Sequence, residues 1–116
     1  MSTAQPLPLD QRHCSHGPAA LDAATIAGLL PQLPDWRVEA DRLLREYVFR
    51  DYHETIEFVN ALAFMVHRED HHPDLQVGYR RCTVSWTTHS AGNRLSENDF
   101  ICAARADALY AGRAGA

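Results

Sequence analysis

A chain of 116 residues with 46% hydrophobic side chains has apolar mass for one compact domain, burying roughly 60 to 70% of its unfolded surface, and too little for two. Its formal charge of −4 comes from acids and bases interspersed along the chain, so no continuous basic stripe is present to follow a phosphate backbone and direct nucleic-acid binding is not expected. No apolar run approaches the ~20 residues that span a bilayer, and the N-terminus lacks a basic region followed by an apolar core, so neither membrane insertion nor export is expected and the cytoplasm is the expected location.

Cys14, Cys82 and Cys102 are odd in number, widely spaced and in no C-x-x-C pair. They suggest neither a disulfide framework nor a zinc ribbon, which fits a reducing cytosol.

Residues 1–20 carry Pro6, Pro8, Gly17 and Pro18 without sustained periodicity and read as a poorly ordered N-terminal arm, leaving 21–116 as a single domain. Asp22 is a helix cap for Ala23 to about Leu33, with Ile26, Leu29, Leu30 and Leu33 along one face and Pro34 as the stop. Trp36–Ala40 and Leu43–Phe49 alternate with period two and are joined by Asp41-Arg42, the pattern of a hairpin. Asp51-Tyr52-His53-Glu54 has the form of a capping box, and Ile56, Val59, Leu62, Ala63 and Val66 then recur at helical spacing. That helix is expected to end near His71 or His72, because a residue before proline is pushed out of the α region.

A second strand pair follows, Leu75–Tyr79 and Arg81–Thr88, the latter with Cys82, Val84 and Trp86 on one face and a polar face that regular alternation extends to His89. After the loop Ser90–Arg94, Ser96-Glu97-Asn98-Asp99 opens a last helix that buries Phe100, Ile101, Ala104 and Ala108. The order α-β-β-α-β-β-α predicts an α+β fold with a four-stranded antiparallel sheet and helices packed on one face. Its two edge strands invite pairing with further copies of the chain, so a homo-oligomer is expected.

The chemistry concentrates in Asp70-His71-His72-Pro73-Asp74 and in His89. A histidine near a helix C-terminus, with Glu69, Asp70 and Asp74 as sequence neighbours, sits where the imidazolium is favoured and so suits a general acid. A second imidazole across the same pocket, neutral, suits a base, and such a pair moves a proton on and off one substrate. Acid-assisted loss of water requires no more than this. No Gly-rich phosphate loop or G-x-S-x-G is present, so nucleotide-dependent or nucleophilic catalysis lacks support.

Blander roles exist for each residue. Helix-end histidines cap or face solvent, Pro73 stops a helix, Asp99 caps one, and Trp36, Tyr79 and Trp86 serve as core or edge aromatics, Tyr79 also being able to stack a flat heterocycle. His67 and His71 at i, i+4 offer a lesser alternative as a metal-binding face, without the glutamate that zincins carry after the first histidine. His13-Cys14-Ser15-His16 would capture a metal only adventitiously.

Asp70-His71-His72-Pro73, Tyr79 six residues beyond the proline, Thr88-His89 ten beyond the tyrosine, and Leu95-Ser96-Glu97-Asn98-Asp99 at the last helix together resemble the pterin-4a-carbinolamine dehydratase family. In animals this family is also known as the dimerisation cofactor of a homeodomain transcription factor. The resemblance spans about Leu21 to Leu109, and Tyr47-Val48-Phe49-Arg50-Asp51-Tyr52 is similar to the family's aromatic strand and its exit.

It implies an α-β-β-α-β-β-α fold in dimers or tetramers, no metal and no organic cofactor. The substrate it implies is the 4a-hydroxytetrahydropterin left by an aromatic amino acid hydroxylase. His71, His72 and His89 become the catalytic residues, His72 or His71 as acid with His89 as partner, Pro73 shapes the pocket, and Tyr79 and Asp99 join as substrate-binding candidates. An interaction module like the animal relatives is the competing class.

Two positions depart from the family pattern. His67 stands where an acidic residue often lies four before the first histidine, and Asn93-Arg94 make the loop after His89 one residue longer than the animal form.

Overall fold

The computed structural model describes residues 7–113, three helices and a four-stranded sheet in the expected order. The strands run β1 (Arg37–Glu39), β2 (Arg42–Val48), β3 (Asp74–Val77) and β4 (Arg81–Trp86), all antiparallel and arranged β1-β2-β4-β3. The helices are α1 (Ala23–Leu29), α2 (Tyr52–Glu69) and α3 (Glu97–Ala111).

Register makes the core. Leu43 lies opposite Trp86, Arg45 opposite Val84 and Tyr47 opposite Cys82. Because side chains alternate across a strand, Leu43, Tyr47, Cys82, Val84 and Trp86 share one face. All five are fully buried, together with Phe58 and Leu62 from α2 and Phe100 and Ile101 from α3. The opposite face carries Arg42, Glu46, Gln76, Thr83 and Ser85, with Arg42 reaching both Ser85 Oγ (2.7 Å) and the Asp74 carboxylate. On the core side, Asp107 of α3 accepts from Trp36 Nε1 (3.0 Å), Arg45 Nη1 (2.6 Å) and the Tyr47 hydroxyl. Burial, reinforced by the Asp107 carboxylate, holds the Tyr47 phenol protonated well above its ordinary range.

Several boundaries move for local reasons. Helix α1 stops at Leu29 and tightens into a 3₁₀ turn over Leu30–Gln32, because Pro31 has no N–H to continue the ladder. The first hairpin turns at Ala40-Asp41 instead of Asp41-Arg42. Glu39 pairs with Arg42, and both turn residues are left-handed (φ 48° and 60°), the backbone twist a two-residue hairpin requires. Strand β4 ends at Trp86, not Thr88, since Thr87 and Thr88 are both buried and break the alternation. His89 therefore opens a 3₁₀ turn, His89–Ala91, rather than closing a strand's polar face.

The expected poorly ordered arm is the largest difference. Residues 1–6 lie outside the described residues, but 7–20 pack on the domain. Leu9 is buried in the core cluster, and Arg105 of α3 donates from Nε to the Arg12 carbonyl (2.8 Å). The Cys14 N–H donates to Glu69 Oε1 (2.7 Å), His13 Nδ1 meets Glu69 Oε2 (2.9 Å), and Ser15 and Asn98 exchange two hydrogen bonds (3.0 and 2.8 Å). Apart from a 3₁₀ turn at Leu9–Gln11, proline and glycine here shape a docked path without regular structure, and side chains of α2 and α3 satisfy part of its backbone.

Glu69 sets a pH limit on that docking. Burial opposes its ionisation most strongly, but the Cys14 N–H, His13 and the Arg105 guanidinium prevail and hold its pKa below the ordinary 4.5. A depressed carboxyl stabilises the docked state above its unfolded value, and that contribution disappears as pH falls through the folded value. Hydrogen-exchange protection at Cys14 and Ser15 is therefore expected to be constant from neutrality down to about pH 5 and to drop below 4.5. Protection unchanged at pH 3 would show that Glu69 does not hold the segment.

Candidate active site

Helix α2 ends where Asp70 takes a left-handed conformation (φ 52°, ψ 43°), one that aspartate tolerates better than most residues. The reversal sends His71 under the helix end instead of around it. Pro73 then bars His72 from resuming helical backbone. The His71 ring lies flat against Trp86, centroids 5.6 Å apart and planes 7° from parallel.

His71 Nε2 stands 2.7 Å from Asp99 Oδ1. Asp99 is fully buried, and its other oxygen accepts from Thr88 Oγ1 (2.8 Å) and the Ser96 N–H (2.9 Å). An ionised carboxylate only accepts, so Nε2 carries a proton and Nδ1 is the nitrogen left for a ligand. Asp99 thus completes the capping box of α3, as its position in the sequence suggested, and also holds His71, a role the sequence did not suggest. The acidic helper lacking at position 67 comes instead from the last helix.

His89 reaches the same place from the sheet. Thr88 is fixed by its N–H to the Arg94 carbonyl (3.0 Å), by the Asn93 N–H to its own carbonyl (3.1 Å) and by its hydroxyl against Ser96 Oγ (2.6 Å). Gly92 and Asn93 are both left-handed (φ 74° and 60°), which folds Asn93 back so that Oδ1 lies 2.7 Å from His89 Nδ1. With the amide oxygen accepting, Nδ1 carries the proton and Nε2 presents its lone pair outward. The lengthened loop therefore supplies the residue that orients His89.

These elements enclose an open cleft of about 270 Å³ lined by His71, His72, His89, Asp70, Thr87, Thr88, Ser90 and Asn98, with Ser15, His16, Gly17 and Pro18 as its other wall. This is near the lower end of volumes that hold small ligands. Hollows of about 210 and 380 Å³ between α2 and α3 contain no imidazole. His72 and His89 are solvent-exposed and His71 is buried at the floor.

All three expected histidines meet here, and Asp99 touches the site through His71. Pro73 sets the chain path beside the cleft without lining it. Tyr79 is not part of it. It sits at the β3–β4 turn, at the opposite end of β4 from His89, 68% exposed and packed on Tyr52 (centroids 5.6 Å apart). A hairpin sends its turn and its open ends to opposite sides of the sheet.

The metal alternative also loses its geometry. Helix α2 ends before His71, so His67 and His71 do not share a helical face. No cluster of three or more potential metal ligands occurs among the described residues.

Sequence pattern did not reveal Trp86 as the plate under His71, Thr88 and Ser96 as partners of Asp99, or His16 at the cleft wall. The available signal was the density of hydroxyl and amide side chains in Thr87-Thr88 and Ser96-Glu97-Asn98.

Residues 19–109 match the family model described as pterin 4 alpha carbinolamine dehydratase. The chain belongs to this family. A relative from Xanthomonas oryzae pv. oryzae, provisionally named a pterin-4-alpha-carbinolamine dehydratase, is 51% identical over 109 residues covering 90% of this chain and 92% of that protein. One from Chromobacterium violaceum with the same provisional name is 50% identical over 95 residues, 82% of this chain and 87% of the relative.

Among solved structures, the transcriptional coactivator/pterin dehydratase from Brucella melitensis superposes with a TM-score of 0.73 at 27% identity, covering 78% of this chain and 97% of that one. A pterin dehydratase-like protein identified as a RuBisCO assembly factor in the alpha-carboxysome gives 0.56 at 26% identity, covering 68% and 89%. The first is described both as a coactivator and as a pterin dehydratase, and the second as an assembly factor.

Proposed function

We propose that this chain dehydrates a 4a-hydroxytetrahydropterin to the quinonoid dihydropterin and water, recycling the pterin of an aromatic amino acid hydroxylase. The observation that carries the reading is one cleft holding the buried His71–Asp99 pair and His89 with its Nε2 free. Family membership names the substrate class.

The reaction is redox-neutral. The C4a–O bond breaks as the hydroxyl receives a proton, the N5–H proton departs, and the C4a=N5 double bond forms from the N5 electrons. His71, starting with protons on both nitrogens and its cationic charge facing Asp99, gives the proton from Nδ1 and is left neutral with Nε2–H on the carboxylate. His89 Nε2 takes the N5 proton, and exposed His72 at the rim returns protons between the two rings and solvent.

A saturable dihydropterin lacking the 4a-hydroxyl tests the site without turnover. Titration is expected to shift the imidazole resonances of His72 and His89 and to quench tryptophan fluorescence through Trp86, which stacks on His71. Shifts confined to residues outside the cleft would contradict the assignment.

The chain is also proposed to assemble as a homodimer or homotetramer in the cytoplasm. The edges β1 and β3 leave Val38, Leu75 and Val77 exposed, and light scattering at the mass of one chain would oppose this. A second reading, an interaction module, draws on Phe64 of α2, 70% exposed, and on the coactivator description of the Brucella relative. Under that reading Phe64→Asp abolishes partner binding while His89→Ala leaves it intact.

A further inference from the structure

The sequence separates Cys14 and Cys102 by almost the whole chain, yet their sulfurs lie 3.3 Å apart. Both are free thiols, Cys14 half-buried on the docked N-terminal segment and Cys102 fully buried on α3. A disulfide needs about 2.0 Å, so the two sulfurs must close by about 1.3 Å. Cys14 belongs to neither helix nor strand and can move that far. The contact is also held in place from both sides, since the flanking backbone is tied to Glu69 by Cys14 N–H and to Asn98 by Ser15.

We infer that Cys14 and Cys102 form a reversible thiol–disulfide latch that fastens the N-terminal wall of the cleft to α3. The wall it fixes is Ser15–Pro18, and the helix it fixes carries Asp99 three residues before Cys102. Oxidation therefore locks together two of the elements that frame the histidine cleft.

The order of events follows from the two environments. The Cys14 contact, then burial, hold the Cys102 thiol protonated well above the ordinary range, so the more accessible Cys14 attacks first. As a thiolate it displaces one half of a low-molecular-weight disulfide, forming a mixed disulfide and releasing one thiol that takes up the proton Cys14 lost. Cys14 Sγ is now a disulfide sulfur placed beside the Cys102 thiol. The Cys102 thiolate attacks Cys14 Sγ, the protein disulfide forms, and the second small thiol leaves with the Cys102 proton. Two protein thiols are oxidised and one small disulfide is reduced to two thiols.

Cys82 is the internal control. It is a free thiol buried on β4 and pushed up to about 11 by that burial.

The test treats the native full chain with oxidised glutathione and reads non-reducing peptide maps. The expected product joins Cys14 to Cys102, leaves Cys82 free, reverts with dithiothreitol and raises Tm by more than about 5 °C, because the bridge closes most of the chain into one loop. Cys102→Ser is expected to stop at a glutathione adduct on Cys14, and Cys14→Ser to give no modification at Cys102. Neither readout assumes anything about pterin chemistry. A wild-type chain that stops at the Cys14 adduct, a bridge involving Cys82, or a bridge that forms faster in urea than in the folded protein would each overturn the latch.

Discussion

His89→Ala is expected to slow dehydration by ~10² or more, the usual scale of a lost general acid or base, while leaving the fold intact. The ring is exposed, and its one side-chain hydrogen bond is to Asn93. Its removal opens no cavity and strands no buried donor, so the stability change should stay within about 0.5 kcal/mol.

Asn93→Gly is the companion variant. Glycine keeps the left-handed φ of 60° at no steric cost and removes the oxygen that orients His89. A loss of about tenfold, smaller than that of His89→Ala, is expected if orientation contributes through the ring. Circular dichroism and thermal melts establish the fold, and steady-state rates decide the role. His89→Ala activity within about fivefold of the parent would contradict a proton-transfer role.

Asp99 is expected to show the largest combined effect. Asp99→Ala removes a fully buried carboxylate that accepts from His71, Thr88 and the Ser96 N–H. The imidazole and the Ser96 N–H are left buried without their acceptor, the Thr88 hydroxyl keeps only Ser96, and α3 loses the Asp99 half of its capping box. A loss of about 3–5 kcal/mol in urea unfolding is expected.

Asp99→Asn separates stability from chemistry. Its oxygen can still accept from Thr88 and Ser96, so the stability cost should fall to about 1–2 kcal/mol. Its amide N–H₂ then faces His71 Nε2 and demands a lone pair there. The ring can no longer carry protons on both nitrogens, and a rate loss of ~10² or more is expected. Asp99→Asn at near-parental rate would show that Asp99 serves the fold alone.

The fold was legible in the sequence where the physics is local. The Asp51 cap and the apolar spacing of Ile56 to Val66 located α2, and the alternation of Cys82, Val84 and Trp86 located the core strand. Errors arose where a single residue overrides a period, as at Pro31, or where a turn's backbone sign matters, as at Ala40-Asp41.

In the candidate site, the histidines were legible because they cluster beside a proline and at a strand end. Their partners were not. The Asp99–His71 pair and the Cys14–Cys102 contact join residues 28 and 88 positions apart, and no periodic signal in one sequence reports such contacts. The N-terminal segment was misread for a related reason. Its order comes from Glu69, Asn98 and Arg105 on other elements rather than from its own propensity. Tyr79 lies away from the histidine cleft for a topological reason, since spacing along the chain does not tell which end of a hairpin faces it.

The decisive measurement is the ultraviolet decay of freshly generated 4a-hydroxytetrahydropterin with and without the purified chain, in the presence of a chelator. The expected result is acceleration well above the spontaneous rate, unchanged by chelation and lost in His89→Ala. Decay at the spontaneous rate with folded protein present would contradict the dehydratase reading and favour the interaction module.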